Sequence, residues 1–501
     1  MTAETTTPSA KPGGQSGLFG RGMLYVVVWS LQLVAGTVVS PILAHLLGPS
    51  EFGALASAIA LHQVLSVLAL LGLDQALVLQ RSEDDNGRNA RGLAAVGIGL
   101  AFTVAIIAAS TAPLWRGLLG FDDYETLVFA VILWTGPAAA VQVMLALLVT
   151  EDRLRPFAIV SGISAVGGQV GGILLLLFVH NDATTYAWGG VASQFLAVVI
   201  GVVVTRPSIR GLVNWSITMR AMRLGIPLAF GGLAYFLLNA GDRIIIQAIL
   251  GPAEVGRYQV AYVVGSVIIL LLTFTSAAWT PRFAALRNER DRRDLAAQSR
   301  DELYRILMPV LLGVTLGAPV LLRIVAPASF EPESLTAVVF LVALCAFPVA
   351  TSGAVTRLLV ILRRGKTVGA ISVIGAAVNV ALNFLLIPMI GILGAAVATL
   401  VAYILLALLQ LWALPTEPRM ARPPWRLVLA CLAIAAASAG SVFLPQTDAW
   451  NTAKFIAAVA CLPWFFLQMR RARRGQESPS SQGEGGPERA PFRRTSRRRS
   501  G

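Results

Sequence analysis

The chain has 501 residues, of which 56% are hydrophobic and only 13% charged, where an ordinary soluble protein carries about 25% charged residues. Apolar stretches fill the chain from end to end, so a soluble enzyme or binding module is excluded and the class is an all-α polytopic membrane protein. The formal net charge of +14 does not call for a nucleic-acid partner: ten of the 40 basic residues lie in the last 32 positions, and most of the others flank apolar segments.

Residues 1–22 are polar and lack the charged-then-apolar layout of a cleaved signal peptide; they read as a disordered cytoplasmic N-terminus. A helix that crosses a bilayer needs about 20 mostly apolar residues. Fourteen segments meet that requirement: 23–45, 53–80, 92–112, 126–149, 157–180, 186–205, 224–249, 258–280, 303–325, 335–362, 367–389, 392–412, 426–444 and 452–469. The segment 335–362 is long enough to be tilted or kinked near Pro348. The first six form an N-terminal bundle over 23–205, followed by a cytoplasmic linker over 206–223. The next six form a second bundle over 224–412, and two additional helices occupy 413–469. Residues 470–501, rich in Arg, Ser, Gly and Pro, cannot bury a core and read as a disordered basic cytoplasmic tail that orients the protein and attracts anionic lipid head groups. Cys345, Cys431 and Cys461 all fall in apolar segments and read as small core residues.

The loops alternate in charge. With the N-terminus in the cytoplasm, the inside loops hold Arg81, Arg88 and Arg91, then Arg153 and Arg155, then Arg206, Arg210, Arg220 and Arg223. Six arginines from Arg282 to Arg300 follow, then Arg363, Arg364 and Lys366, then Arg419, Arg422 and Arg426; the outside loops hold only Arg116, Arg257 and Lys454. That is the positive-inside pattern, and it predicts fourteen spans with both termini inside. Every outside loop is short, so no extracytoplasmic domain is expected.

One phrase occurs twice. "LLGPSEFGALASA", Leu46 to Ala58, returns as "ILGPAEVGRYQVA", Ile249 to Ala261, at an offset of 203 residues. Leu47, Gly48, Pro49, Glu51, Gly53 and Ala58 recur as Leu250, Gly251, Pro252, Glu254, Gly256 and Ala261. Each copy closes the first helix of a bundle, turns on the outside and opens the second helix. Gly-Pro suits the tight turn, and the second glycine lets the next helix start close to its neighbour. An even number of spans separates the copies, so the halves are parallel repeats related by an axis near the membrane normal, an arrangement that implies a cavity between the bundles and alternating access by rocking.

An ionisable residue inside a span is a functional hypothesis by default. Arg305, Arg323 and Arg357 lie near helix ends and can snorkel. His62 lies well inside span 2. Asn239, Asp242 and Arg243 cluster in span 7; Asn239 is spaced to touch both of the others, whereas Asp242 and Arg243 are adjacent and are not expected to face each other. Gln32 in span 1 is a polar candidate for the same space. Gly167, Gly168, Gly171 and Gly172 form small-xxx-small pairs that read as close helix packing. Gly365-Lys366-Thr367 imitates the end of a P-loop, but Val360 stands where its first glycine belongs. No zinc or other metal spacing appears, so neither a metal nor a cofactor is expected and the protein is not expected to be an enzyme.

The repeated phrase, "NAGDRIIIQAILGPAEVGRYQVAY" and "NVALNFLLIPMIGILGAAVATLVAY" together resemble the polysaccharide-flippase branch of the multidrug/oligosaccharidyl-lipid/polysaccharide exporter superfamily. The last stretch, with Asn379, Asn383, Pro388, Gly391 and Gly394, is the most specific. The resemblance covers about residues 20–412. It implies a bacterial inner-membrane protein that moves polyprenyl-pyrophosphate-linked oligosaccharide units to the periplasmic leaflet, with a proton or sodium as coupling ion and polysaccharide polymerase or export machinery as partners. The family often carries an arginine before the first turn, where this chain has His45. A pyrophosphate substrate matches the guanidinium of Arg243, which makes Arg243, with Asp242, Asn239, His62 and Gln32, the expected cavity set. A multidrug exporter of the same superfamily would instead favour acidic and aromatic cavity residues, of which Asp242 is one. A membrane-embedded glycan polymerase or ligase would need a sizeable basic outside loop, which is absent.

Overall fold

A computed structural model describes residues 16–83, 87–210, 214–277, 288–415 and 420–477, with residues 279, 282, 283 and 286; of these, side chains are described over 38–273 and 279–472. All regular structure among them is helical. The helices are α1 (Ser16–Leu70), α2 (Leu73–Glu83), α3 (Arg88–Trp115), α4 (Glu125–Thr150), α5 (Leu154–Gly162), α6 (Gly168–Phe178), α7 (Ala183–Thr205), α8 (Trp215–Leu250) and α9 (Pro252–Ala277). They continue as α10 (Glu289–Val325), α11 (Thr336–Leu344), α12 (Ala346–Ile361), α13 (Gly365–Ile390), α14 (Ile392–Trp412), α15 (Trp425–Val442) and α16 (Asp448–Glu477). Thirteen stretches among the described residues are long and apolar enough to cross a membrane. The thirteen begin at Val38, so most of the first expected segment, 23–45, lies outside them; α1 consists of two helical arms joined at Gly48, which has φ 71° and ψ 173°.

The second copy of the phrase makes the same turn. Gly251 has φ 89° and ψ 173°, so both copies use a glycine in a region barred to L side chains, followed by a proline that opens the next helix. Leu47, Phe52, Leu55 and Ala58 from the first copy and Val255, Tyr258, Val260 and Ala261 from the second are buried in one continuous apolar core. That core also takes in α4, the start of α7, the end of α10, α11 and the α13–α14 corner. Glu51 of the first copy accepts a bond from the backbone N–H of Ala183 at 2.7 Å and so caps the start of α7. Its equivalent, Glu254, is paired instead with Arg257 at 2.6 Å.

The two turns pack on each other. A Cβ placed on Gly53 would overlap the carbonyl of Pro252, and one placed on Gly256 would overlap the carbonyl of Pro49. The second arm of α1 and α9 thus run in backbone contact at the turn end of the molecule. At the other end, which carries the arginine-rich loops, α1 gives way to α2 at Gly72 (φ 70°). There a Cβ on Gly225 of α8 would stand 2.6 Å from the carbonyl oxygen of Leu71.

Other departures from simple rods have local causes. Segment 335–362 breaks into α11 and α12 at Cys345, three residues before Pro348, because a proline withholds the N–H that the carbonyl one turn earlier would accept. α8 and α10 start well before their apolar portions, at Trp215 and Glu289. The small-residue stripe behaves as expected: a Cβ on Gly172 would stand 2.6 Å from the Tyr186 ring, and one on Gly168 would stand 3.4 Å from Gly190 Cα, so α6 and α7 approach to backbone distance. α15 and α16 both pack on α10.

At the arginine-rich end, basic side chains close helix ends. Arg293, Arg300 and Arg364 donate to the carbonyls of Pro415, Ala421 and Ala413 at 3.1, 3.0 and 2.9 Å, holding the segment that leads from α14 to α15. Arg153 donates to the carbonyl of Val204 at the end of α7 at 2.9 Å and pairs with Glu151, which also takes Arg91.

Candidate functional site

α8 and α9 form an antiparallel hairpin whose fold point is Leu250–Pro252. Residues seven to nine positions on either side of Gly251 meet across it, which brings Asp242 and Arg243 of α8 to Tyr258 and Gln259 of α9. Tyr258 donates to Asp242 Oδ2 at 2.5 Å, and Arg243 Nε donates to Gln259 Oε1 at 3.0 Å. The ring of Tyr262, one turn further along α9, lies under the guanidinium at 4.0 Å from its centroid, with the Tyr258 ring at 5.6 Å. Both distances are within the range of a cation–π attraction.

Asp242 and Arg243 meet each other, contrary to the expectation from their adjacency. Arg243 Nη1 donates to Asp242 Oδ1 at 2.7 Å, and the same oxygen accepts the Arg243 backbone N–H at 2.9 Å. The rule that neighbours on a helix do not face each other assumes that side chains leave the axis directly; an arginine is long enough to fold back. Asn239 is also corrected. Its side chain hydrogen-bonds elsewhere: its amide donates to the carbonyl of Tyr235 at 2.7 Å and its Oδ1 accepts from Tyr403 of α14 at 2.8 Å. Only its backbone carbonyl reaches Arg243, at 2.6 Å.

The result is a neutral ion pair sealed inside the protein, with Asp242 1% and Arg243 6% exposed. Burying two charges costs several kcal/mol unless geometry and extra hydrogen bonds compensate, and here Tyr258, Gln259 and the Asn239 carbonyl do so. The pair is also wired to the first half. Ser57 of α1 donates within 3.2 Å to the Arg243 carbonyl and to Gln247 Oε1, and Gln247 donates onward to the carbonyl of Gly120 at 2.8 Å. Ser57, Gln247, Tyr258, Gln259, Tyr262 and Tyr403 were not singled out by sequence. Their common signal is a polar atom in an otherwise apolar span; Ser57, Tyr258 and Gln259 lie within the repeated phrase, Gln247 and Tyr262 flank its second copy, and Tyr403 lies apart in α14.

His62 is held elsewhere. Its Nδ1 lies 3.0 Å from Thr135 Oγ1, and its ring stacks on Trp134 at 5.0 Å, both from α4; neither partner belongs to the Arg243 cluster. Gln32 lies outside the described residues. His45 is on the exposed side, bonded to the carbonyl of Pro41 at 2.9 Å. Asn379 and Asn383 are fully buried and bonded to each other, and Asn379 donates to Thr399 of α14 at 3.3 Å. Gly391 turns the corner at φ 63°, and a Cβ on Gly394 would stand 2.5 Å from the Leu386 carbonyl oxygen. These residues join α13 to α14.

Residues 42–335 match the family described as polysaccharide biosynthesis protein. Over 308 residues the chain is 26% identical to the succinoglycan biosynthesis transport protein ExoT of Rhizobium meliloti, a match that spans 59% of this chain and 61% of that protein, less than two thirds of its length. Over 410 residues it is 24% identical to the probable flippase AglR of Haloferax volcanii, covering 77% and 80% of the two chains. Among solved structures, the fold is similar to the lipid II flippase MurJ in an inward closed conformation, with TM-score 0.67 and 14% identity over 91% of this chain and 99% of that one. It is also similar to an inward-facing multidrug resistance MATE family transporter of the MOP superfamily, with TM-score 0.57 and 13% identity over 81% and 95%. At these identities the likeness is one of fold.

Proposed function

The chain belongs to the polysaccharide biosynthesis protein family, and from that premise we propose that it flips polyprenyl-pyrophosphate-linked oligosaccharide repeat units across the bacterial inner membrane by alternating access. The observation that carries this reading is the face-to-face packing of the two copies of the repeated phrase. Two like half-structures that touch through glycine backbone at one end can separate there and close elsewhere, which is what rocking of one half on the other requires. Parallel halves over 23–205 and 224–412, two accessory helices, and both termini in the cytoplasm belong to the same proposal.

Arg243 is the residue proposed to meet the pyrophosphate. A guanidinium can donate two parallel bonds to such a group, but in this structure it is occupied by Asp242. Substrate capture therefore means exchange of one anion for another, with Tyr258 left to hold the carboxylate. A proton or sodium ion at Asp242 would lower the cost of that exchange, which is how ion coupling enters the proposal. The substrate's sugars would be supplied by glycosyltransferases and consumed by a polymerase.

Deletion of the gene tests the proposal. Lipid-linked repeat units should stay on the cytoplasmic leaflet and surface polysaccharide should stop. Normal surface glycan in a deletion strain that has no paralogue would overturn it. Dye sensitivity with intact glycan would point instead to drug export.

A further inference from the structure

α10 and α16 run antiparallel, and two cavities lie end to end along their seam. The first, about 280 Å³, is polar and sits toward the arginine-rich end, lined by Glu302 and Arg305 of α10 and by Gln468, Arg471 and Ala472 of α16. The second, about 440 Å³, begins one turn further along α10 at Pro309 and extends to Leu321, with Phe465 to Phe455 of α16 as its opposite wall. Its lining is almost wholly apolar. Gly313 and Gly317 create the room, since a Cβ on either would only just reach Ala458 or Cys461, at 3.5–3.6 Å. From Arg305 to Leu321 the seam is roughly 24 Å long at 1.5 Å per residue, the length scale of one leaflet with its head-group layer.

The polar cavity is unfinished as it stands. Gln298 donates to Glu302 Oε1 at 2.9 Å, but Glu302 Oε2 is buried and has no hydrogen-bond partner among the described residues. Two guanidinium groups and one carboxylate give the cavity a net charge of +1. A ligand that fits is therefore an anion that offers at least one hydrogen-bond donor beside its negative charge and continues into an apolar chain. We infer that this seam is a binding seat for a phospholipid with a phosphodiester head group that carries donor hydroxyls, of which phosphatidylglycerol is the type. The phosphate lies between Arg305 and Arg471, a glycerol hydroxyl donates to the Glu302 carboxylate once it turns toward the cavity, and an acyl chain occupies the groove past Gly313. Basic pockets between helix ends are the usual form of such sites. The seat uses α16, a helix outside the repeat, and its apolar part is also lined by Val267 and Leu271 of α9. Its occupant is therefore a resident lipid of the membrane and not the transported molecule, and the inference stands whether or not the proposed transport activity does.

The test uses the purified full chain in neutral detergent, with bound lipid counted by native mass spectrometry. Phosphatidylglycerol should be retained, and phosphatidylcholine with the same acyl chains, which lacks head-group donors, should not. The double variant Arg305→Gln/Arg471→Gln should weaken retention by roughly tenfold or more, the loss expected for two basic contacts to a lipid head group. Gly313→Leu should weaken it with the head-group pocket intact. Thermal unfolding of each variant checks the fold, and the exposed Arg471→Gln alone serves if the double variant fails to fold. Equal retention of the two lipids, or full retention by the charge variant, would overturn the assignment. So would displacement of phosphatidylglycerol by a lower concentration of undecaprenyl pyrophosphate, which would give the seat to the substrate.

Discussion

Gly53 and Gly256, 203 residues apart, occupy equivalent places in the repeated phrase, and each lies against the backbone of the other copy: a methyl group on Gly53 would overlap the carbonyl of Pro252, and one on Gly256 that of Pro49. No flexible side chain is available to yield. The only relief is movement of α1 away from α9, so the contact reports directly on whether the halves are together at this end.

Gly53→Ala and Gly256→Ala should therefore open the turn end. Overpacking in a tight core costs about 1–3 kcal/mol, and each 1.4 kcal/mol moves an equilibrium about tenfold. Single variants should show faster labelling of a cysteine placed at Ala56, partly buried and one helical turn from Gly53, with expression unchanged. Labelling rates equal to the parent's would show that the turns do not gate. As a control, Gly440→Ala should change nothing, because a Cβ there meets no atom within 4 Å.

Ser57 offers a second probe of the same seam. Its hydroxyl is the bond from α1 to Gln247 and to the Arg243 carbonyl. Ser57→Ala leaves Gln247 Oε1 without its donor, at a cost of about 1–3 kcal/mol for an unsatisfied buried group. Gln247→Leu removes the acceptor of that bond and the double variant removes both partners, so Ser57→Ala/Gln247→Leu should be less destabilised than the sum of the single variants. Strict additivity in thermal unfolding would show that the two residues do not share a bond.

These relationships show which parts of the molecule could be read from residues alone. The helices were legible because apolarity along about 20 residues is a one-dimensional property. α14 begins and ends at Ile392 and Trp412 as expected, and the repeated phrase announced its own turn. What the residues could not show was partnership. Identity between the phrases says that they fold alike, and nothing in it says that they touch. Apolarity also sees only the bilayer part of a helix, so the polar starts of α8 at Trp215 and α10 at Glu289 were missed. For the site, Arg243 and Asp242 were visible as charges in an apolar span, but Tyr258 and Tyr262 were not, because a tyrosine in such a span is ordinary until a carboxylate or guanidinium is found beside it.

The basic loops predict orientation. Reporter fusions after Arg210 and after Gln298 should read as cytoplasmic, and one after Glu331 as periplasmic. A periplasmic signal at Arg210 would break the alternation of spans on which the parallel repeat depends.

The Asp242–Arg243 pair allows structure and function to be separated. Arg243→Ala leaves the Asp242 carboxylate buried without its counter-charge, held only by Tyr258 and the backbone N–H of residue 243. Breaking a buried pair by removing one partner costs about 3–5 kcal/mol, whereas replacing both partners with neutral groups is often tolerated. Arg243→Ala should thus lower protein level or thermal stability, and Asp242→Asn/Arg243→Gln should restore much of it. If Arg243 served only the fold, the double variant would export polysaccharide normally. If it holds the pyrophosphate, the double variant is stable and does not flip, because a glutamine amide offers no positive charge. Arg243→Lys adds the finer reading: it keeps the charge but loses the planar fork that bonds Gln259, Asp242 and the Asn239 carbonyl together, and it should flip slowly. The readouts are lipid-linked repeat units accessible on the periplasmic face of spheroplasts, normalised to protein in the membrane. Normal flipping by the stable double variant would remove Arg243 from the substrate path and leave the pair as a structural fastener between α8 and α9.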